Sequence, residues 1–127
     1  MLIAGIGCRA GVSVDAVLEA VAAATRECNV EQRNIDAIAT ASSKGGEHGI
    51  TEAAARLHLP LILVDAQDMQ RAAPGALTTS TRVLALKGVP SVAETAALAA
   101  AGTGARLLAP RTATATATCA IARGADA

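Results

Sequence analysis

A thiol, a guanidinium and three glycines fall within residues 5–11, Gly5-Ile6-Gly7-Cys8-Arg9-Ala10-Gly11. The run follows the apolar triplet Leu2-Ile3-Ala4 and precedes Val12-Ser13, where a helix is expected to start. A strand that enters a glycine-rich turn and then a helix leaves backbone N–H groups facing one point. Such an end attracts anions, because the first helical N–H groups lack partners and the helix dipole is positive there. Gly7, Gly11 and Ser13 are therefore candidate backbone and cap contacts to a ligand, and Arg9 adds a fixed positive charge. Cys8, read as sitting at this helix N-terminus beside Arg9, is expected to have a lowered pKa, which makes it a candidate nucleophile. The competing reading is a small residue filling a tight turn.

A second reactive group is Lys44-Gly45-Gly46-Glu47-His48. Lys44 would hold a ligand carboxylate, Glu47 would do acid–base or positioning work, and His48 would line the same site. The alternative is a solvated loop in which Glu47 stands favourably at a helix N-terminus. Ser91-Val92-Ala93-Glu94 has the form of a capping box, in which Ser and Glu satisfy each other's backbone N–H groups. Gly88-Val89-Pro90 presents that helix end openly, so Ser91 is a further candidate anion contact. His58, before Leu59-Pro60, reads as a helix-end position, and Met69, Cys28 and Cys119 as packing residues.

Two cofactor classes fail on spacing. Gly5-x-Gly7-x-x-Ala10 loosely fits a dinucleotide fingerprint, but that unit needs an acid at the end of the second strand. Here the strand ends Ala39-Thr40-Ala41-Ser42-Ser43. The three cysteines form neither a CxxC pair nor a Cys/His set at zinc spacing, so no metal site is expected, and an odd, unpaired count is no disulfide framework. No cofactor is expected.

Composition narrows the class. The chain has 127 residues, is 52% hydrophobic and carries 11 basic and 11 acidic residues, for a formal net charge of zero. That length suits one domain spanning residues 1–127 with one core. No run approaches the ~18–20 apolar residues of a membrane span, and the N-terminus lacks the features of a signal peptide. A cytoplasmic protein without membrane contact is expected. There is no Phe, Tyr or Trp. Nucleic-acid binders carry a basic stripe and stacking aromatics, so nucleic acid is excluded as a partner.

The elements that must position these residues follow from periodicity. Helices are expected over 13–28 (with Asn29 as stop), 47–57 and 91–101, with short helical turns near 65–75 and from 79 or 80 through 86. Strands are expected at 2–4, 35–41, 61–64 and 106–109. Residues 112–118 alternate Thr and Ala and continue through 122, which argues one further strand, with low-complexity disorder as the alternative. The last two strands would be an antiparallel pair. The class is α/β: a single three-layer α/β/α domain, mostly parallel, with an antiparallel C-terminal strand pair. In such sheets ligands sit outside the carboxyl ends of the strands.

Taken in order, Gly5-Ile6-Gly7-Cys8-Arg9-x-Gly11-Val12-Ser13, Ala39-Thr40 with Lys44-x-x-Glu47, Leu59-Pro60-Leu61, Gly88-Val89-Pro90-Ser91-Val92-Ala93-Glu94 and the closing Ala120-Ile121-Ala122-Arg123 resemble the CobE/CbiG C-terminal family of cobalamin biosynthesis. The length is most like the free-standing CobE form. The resemblance implies a role in building the corrin ring. It suggests binding a precorrin or hydrogenobyrinic-acid-type tetrapyrrole as carrier or accessory to other enzymes of the pathway. The alternative it implies is a hydrolase that opens a precorrin lactone, with Cys8 or Glu47 reactive. Arg9, Lys44 and the helix N-termini would hold carboxylates, and Val12, Ile50 and Val89 would contact the ring. A homodimer is compatible with the sequence. Residues 72–86 carry no motif.

Overall fold

The alternation of apolar runs with helical repeats closes into one α/β domain around a mixed sheet. The computed structural model describes residues 1–79, 84 and 88–125. In chain order the elements are β1 (Leu2–Cys8), α1 (Val14–Glu27), β2 (Ala37–Ala41), α2 (His48–Arg56), β3 (Leu61–Val64), α3 (Ala66–Ala72), α4 (Val92–Ala101), β4 (Arg106–Leu107), β5 (Thr112–Ala113) and β6 (Ala117–Arg123). The sheet order is β3-β2-β1-β6-β4, with β5 also paired to β6. β1, β2 and β3 are parallel. β6 runs antiparallel to β1 along its whole length, from Leu2 opposite Arg123 to Cys8 opposite Ala117, and β4 and β5 are antiparallel to β6. The expected α/β class is therefore present, with a parallel half and an antiparallel C-terminal half. The short helix expected from 79 or 80 through 86 lies outside the described residues.

Each face of the sheet has its own core, and β1 shows why. Successive strand residues point to opposite faces. Leu2, Ala4 and Ile6 pack with Val17, Val21 and Ala24 of α1, Ile50 and Ala53 of α2, and Cys119 and Ile121 of β6. Ile3 packs on the other face with Val64, Met69, Val92 and Ala96. α4 is buried from Val92 through Leu98, and its sequence is apolar apart from Glu94 and Thr95, as befits a helix enclosed on most sides.

The helix ends follow their local chemistry. Ser13 Oγ accepts the Ala16 N–H at 3.0 Å, capping α1. α1 ends in a Schellman arrangement, with Asn29 at φ 55° and its N–H on Arg26 O, while Val30 N–H reaches Thr25 O. α2 ends the same way, with His58 at φ 58°. His58 is thus the helix-end residue that its position suggests.

Two expectations are corrected. β1 does not stop at Ala4; it continues to Cys8, so Gly5 and Gly7 are strand residues and the loop is only 9–13. Gly5 is needed because α4 lies directly on β1: a Cβ there would stand 2.7 Å from Ala97 N and closer still to Ala93 O. The Thr/Ala run is not one strand either. It is a hairpin, β5 and β6, turning at residues 114–116, where Thr114 N–H donates to Ala117 O at 2.8 Å.

Candidate functional site

Because β1, β2 and β3 are parallel, their carboxyl ends lie together, and the loops that follow them meet. Gly11 N–H donates to Glu47 Oε1 at 2.9 Å, which ties loop 9–13 to the segment before α2. Glu47 occupies the N-cap position of α2, but its side chain bonds no N–H of that helix. The carboxylate thus links two loops while sitting at a positive helix end. Behind it, α2 packs hard against loop 9–13, since a Cβ on Gly49 would collide with the Val12 carbonyl. Gly11 takes φ +76° with open space around its α-carbon, so it is there for its backbone conformation. The β5–β6 turn joins the same end, with Arg9 N–H on Thr116 O at 3.0 Å.

The side chains placed at this end are Cys8, Arg9, Lys44, Glu47 and His48. Arg9 and His48 are exposed and the others are half-buried. The three ion pairs among the described residues use Arg33, Arg56 and Arg71, so among those residues neither Arg9 nor Lys44 has an ion pair. Cys8 differs from its expectation. It ends a strand instead of opening a helix, and burial pushes its thiol above the ordinary value. The charge of Lys44 opposes this shift and that of Glu47 adds to it. Cys8 is therefore held as a neutral thiol in the fields of Lys44 and Glu47, not as a thiolate.

Other expected contacts are placed elsewhere. Gly7 is buried within β1, paired in register with Thr118, and a Cβ there would stand 2.8 Å from Thr118 Oγ1 with the start of α4 in ordinary contact beyond, so it presents nothing to a ligand. Ser13 is exposed, but its oxygen is engaged as a cap. Ser91 is fully buried and caps α4 by accepting Glu94 N–H, so it presents nothing to a ligand. Val12, Ile50 and Val89, expected to meet an apolar ring, are core residues and cannot do so. The large apolar side chains that do reach solvent include Leu63, Leu77 and Leu84. Leu63 lies over Gly45, in the segment that carries Lys44.

The capping box is only half formed. Glu94's carboxylate turns away from Ser91 to accept from Leu77, Thr78 and Arg111. These partners and the 114–116 turn were missed by sequence reasoning. Pro110-Arg111, a proline beside a cation between two strands, is the sequence signal that could have pointed toward Arg111.

A cavity of about 440 Å³ lies at the other end of α4, between Asp68, Arg71, Leu98, Gly102 and Thr103. The cation in its lining, Arg71, is paired with Asp68 at 2.8 Å, unlike Arg9 and Lys44, which have no ion pair among the described residues. Among the described residues no group of His, Cys, Asp and Glu could hold a metal ion, and no helix is long and apolar enough to cross a membrane.

Residues 2–122 match the family described as Cobalamin synthesis G C-terminus. The fold is similar to the crystal structure of CobE, a protein from the cobalamin (vitamin B12) biosynthetic pathway. The TM-score is 0.91 and identity 34%, covering 97% of this chain and 89% of that one. It is also similar to cobalamin biosynthesis protein chiG from Agrobacterium tumefaciens, with TM-score 0.79 and 45% identity over 99% of this chain and 100% of that one. A cobalamin biosynthesis protein G homologue from Sulfolobus solfataricus shares the fold, with TM-score 0.72 and 21% identity over 95% of this chain and 36% of that one. No curated protein matches. The match over nearly the whole chain, with the motif residues in their family order, makes this a cobalamin-biosynthesis protein of the CbiG C-terminal and CobE family.

Proposed function

We propose that the protein binds a corrin-ring precursor, a precorrin or hydrogenobyrinic-acid-type tetrapyrrole, at the carboxyl ends of β1 and β2. It acts there as a carrier or accessory that hands the ring to other enzymes of the pathway in the cytoplasm. The observation that carries this reading is the Gly11–Glu47 hydrogen bond, which joins the two loops that carry Arg9 and Lys44, cations without an ion pair among the described residues. Such macrocycles carry several carboxylates around an apolar ring. These two cations and the N-termini of α1 and α2 suit those carboxylates. With zero net charge overall, the attraction must be local.

The hydrolase reading has less support. A thiol raised by burial is a poor nucleophile near neutral pH, and Glu47 is already occupied by Gly11. Spectral titration of hydrogenobyrinic acid and earlier precorrins with the pure protein tests both readings. A chain without Trp or Tyr gives little background near 280 nm and above. Binding predicts a saturable shift, weakened about two- to fivefold by Arg9→Ala or Lys44→Ala and by added salt. Turnover abolished by Cys8→Ala or Glu47→Gln with affinity retained would establish the enzyme instead. No shift and no co-elution with any intermediate would end the binding reading.

A further inference from the structure

We infer that the ligand cleft has a second bank, formed by residues 77–78 and 111, and that Glu94 is the residue that positions it. This rests on the reading that the strand ends bind a carboxylated macrocycle.

Glu94 lies in the first turn of α4 and is fully buried. Its Oε1 accepts the N–H groups of Leu77 at 2.9 Å and Thr78 at 2.8 Å. Its Oε2 accepts the Thr78 hydroxyl at 2.7 Å and the Arg111 N–H at 2.8 Å. No cation pairs with it among the described residues. Burying a carboxylate is costly unless hydrogen bonds compensate, and here four donors do so. Capping α4 does not require this, because Ser91 Oγ already accepts the Glu94 N–H. What the buried carboxylate achieves is to join two segments, each 17 residues away in sequence, to the start of one helix.

That helix start stands over the end of β1, since a Cβ on Gly7 would lie 3.4 Å from Ala93 N and 3.5 Å from Val92 Cβ. Residues 77–78 and 111 are therefore held at the strand ends, on the α4 side of the sheet. Arg9, Lys44 and Glu47 hold the α1 and α2 side. The second bank extends the apolar surface that Leu63 offers beside Lys44. Leu77 is 60% exposed. Arg111 is a third cation without an ion pair among the described residues. In a chain with no aromatic side chain, an exposed leucine such as Leu77 is what can lie against an apolar ring.

Glu94→Gln keeps the shape but puts an amide donor where one oxygen accepted. Hydrogen–deuterium exchange should then quicken about tenfold at the amides of 77–78 or 111, with the far-UV spectrum unchanged. Affinity for hydrogenobyrinic acid should fall about tenfold. Leu77→Ser and Arg111→Met leave the carboxylate and its donors in place. Each should weaken binding about threefold to tenfold without altering exchange, and Arg111→Met should cost less affinity in the Glu94→Gln background than alone. Unchanged exchange in Glu94→Gln would overturn the positioning role. Wild-type affinity in both Leu77→Ser and Arg111→Met would overturn the second bank, and these two carry the test if Glu94→Gln does not fold. Failure of the wild-type protein to take up any macrocycle would instead refute the underlying binding reading, and this bank with it.

Discussion

Replacing Gly5 by Ala should be among the most damaging single-methyl changes in this chain. The added Cβ would stand 2.7 Å from Ala97 N and 2.9 Å from Ala97 Cβ, and closer still to the Ala93 carbonyl oxygen. Two of these three atoms are helix backbone, so no rotamer change relieves the clash; α4 must lift from β1. Forcing extra volume into a packed core costs about 1–3 kcal/mol, and a backbone clash belongs at the upper end. Taking ~3 kcal/mol and a urea m-value near ~1.5 kcal/mol/M, the unfolding midpoint should fall by about 2 M. The melting temperature should fall by roughly 10 °C. Without Tyr or Trp to report by fluorescence, far-UV circular dichroism is the assay. Gly7→Ala should cost less, since its nearest obstacle is Thr118 Oγ1 at 2.8 Å, which can rotate away. Gly11→Ala meets nothing within 4 Å and suffers only the strain of φ +76°, about 1 kcal/mol. A wild-type midpoint for Gly5→Ala would refute close packing of α4 on β1. Restoration of stability by a second change, Ala97→Gly, would show that the clash was with a side chain and not with backbone.

Further expectations follow from the thiols and the caps. At pH 8, iodoacetamide should modify Cys8 more slowly than an unhindered thiol. Lys44→Ala should slow it further and Glu47→Gln should speed it about threefold, because those charges respectively lower and raise the Cys8 pKa. Faster modification in Lys44→Ala would contradict the arrangement. Cys119 is fully buried and its thiol is pushed far above the ordinary value of 9.0. The folded state therefore keeps a proton that the unfolded state releases, so this contribution is full below pH 9 and declines as pH rises above it. Stability should drop by up to about 1.4 kcal/mol per pH unit from this group, and Cys119→Ala should remove that part of the slope in urea titrations run from pH 8 to 10.5. Ser13→Ala should cost about 1 kcal/mol through the lost α1 cap while leaving macrocycle affinity unchanged; a fall in affinity at equal stability would make Ser13 a ligand contact.

Much of the fold was legible because its signals are local. Ser13, Asn29, Ser91 and the period-3.6 apolar pattern of α1 mark helix ends to within a residue. The loop pair at the strand ends was legible too, because Lys44-x-x-Glu47 and Arg9-x-Gly11 follow parallel strands and parallel strands bring their loops together. What was not legible is set by distance in sequence. Nothing near Glu94 reveals that its carboxylate will choose Leu77, Thr78 and Arg111 over its own helix end. The Ser-x-x-Glu spacing is satisfied by either arrangement, and the choice depends on where two remote segments pass. The Thr/Ala run misled for a related reason. Thr112 and Thr118 both belong to strands, but the turn between them forms only because β6 is drawn alongside β1.

The glycines carry the sharpest lesson about site and scaffold. Gly5-x-Gly7 ahead of a helix suggests a backbone cleared for an anion, since a ligand and a helix make the same demand on a strand: no Cβ in the way. Sequence cannot separate them, because both need glycine at alternate positions on one face. Here the face settles the matter, as β1 turns Gly5 and Gly7 toward α4 and Ile6 toward α1. The only glycine of this run free to meet a ligand is Gly11, beyond the strand, with open space at its α-carbon and its N–H on Glu47. The consequence is mechanical. α4 cannot rise from β1 without losing its packing, so the Glu94 carboxylate at its start is a fixed point. The banks of the cleft are then set by how loops hang from fixed helix ends, and affinity changes should track the loops while stability changes track Gly5 and Gly7.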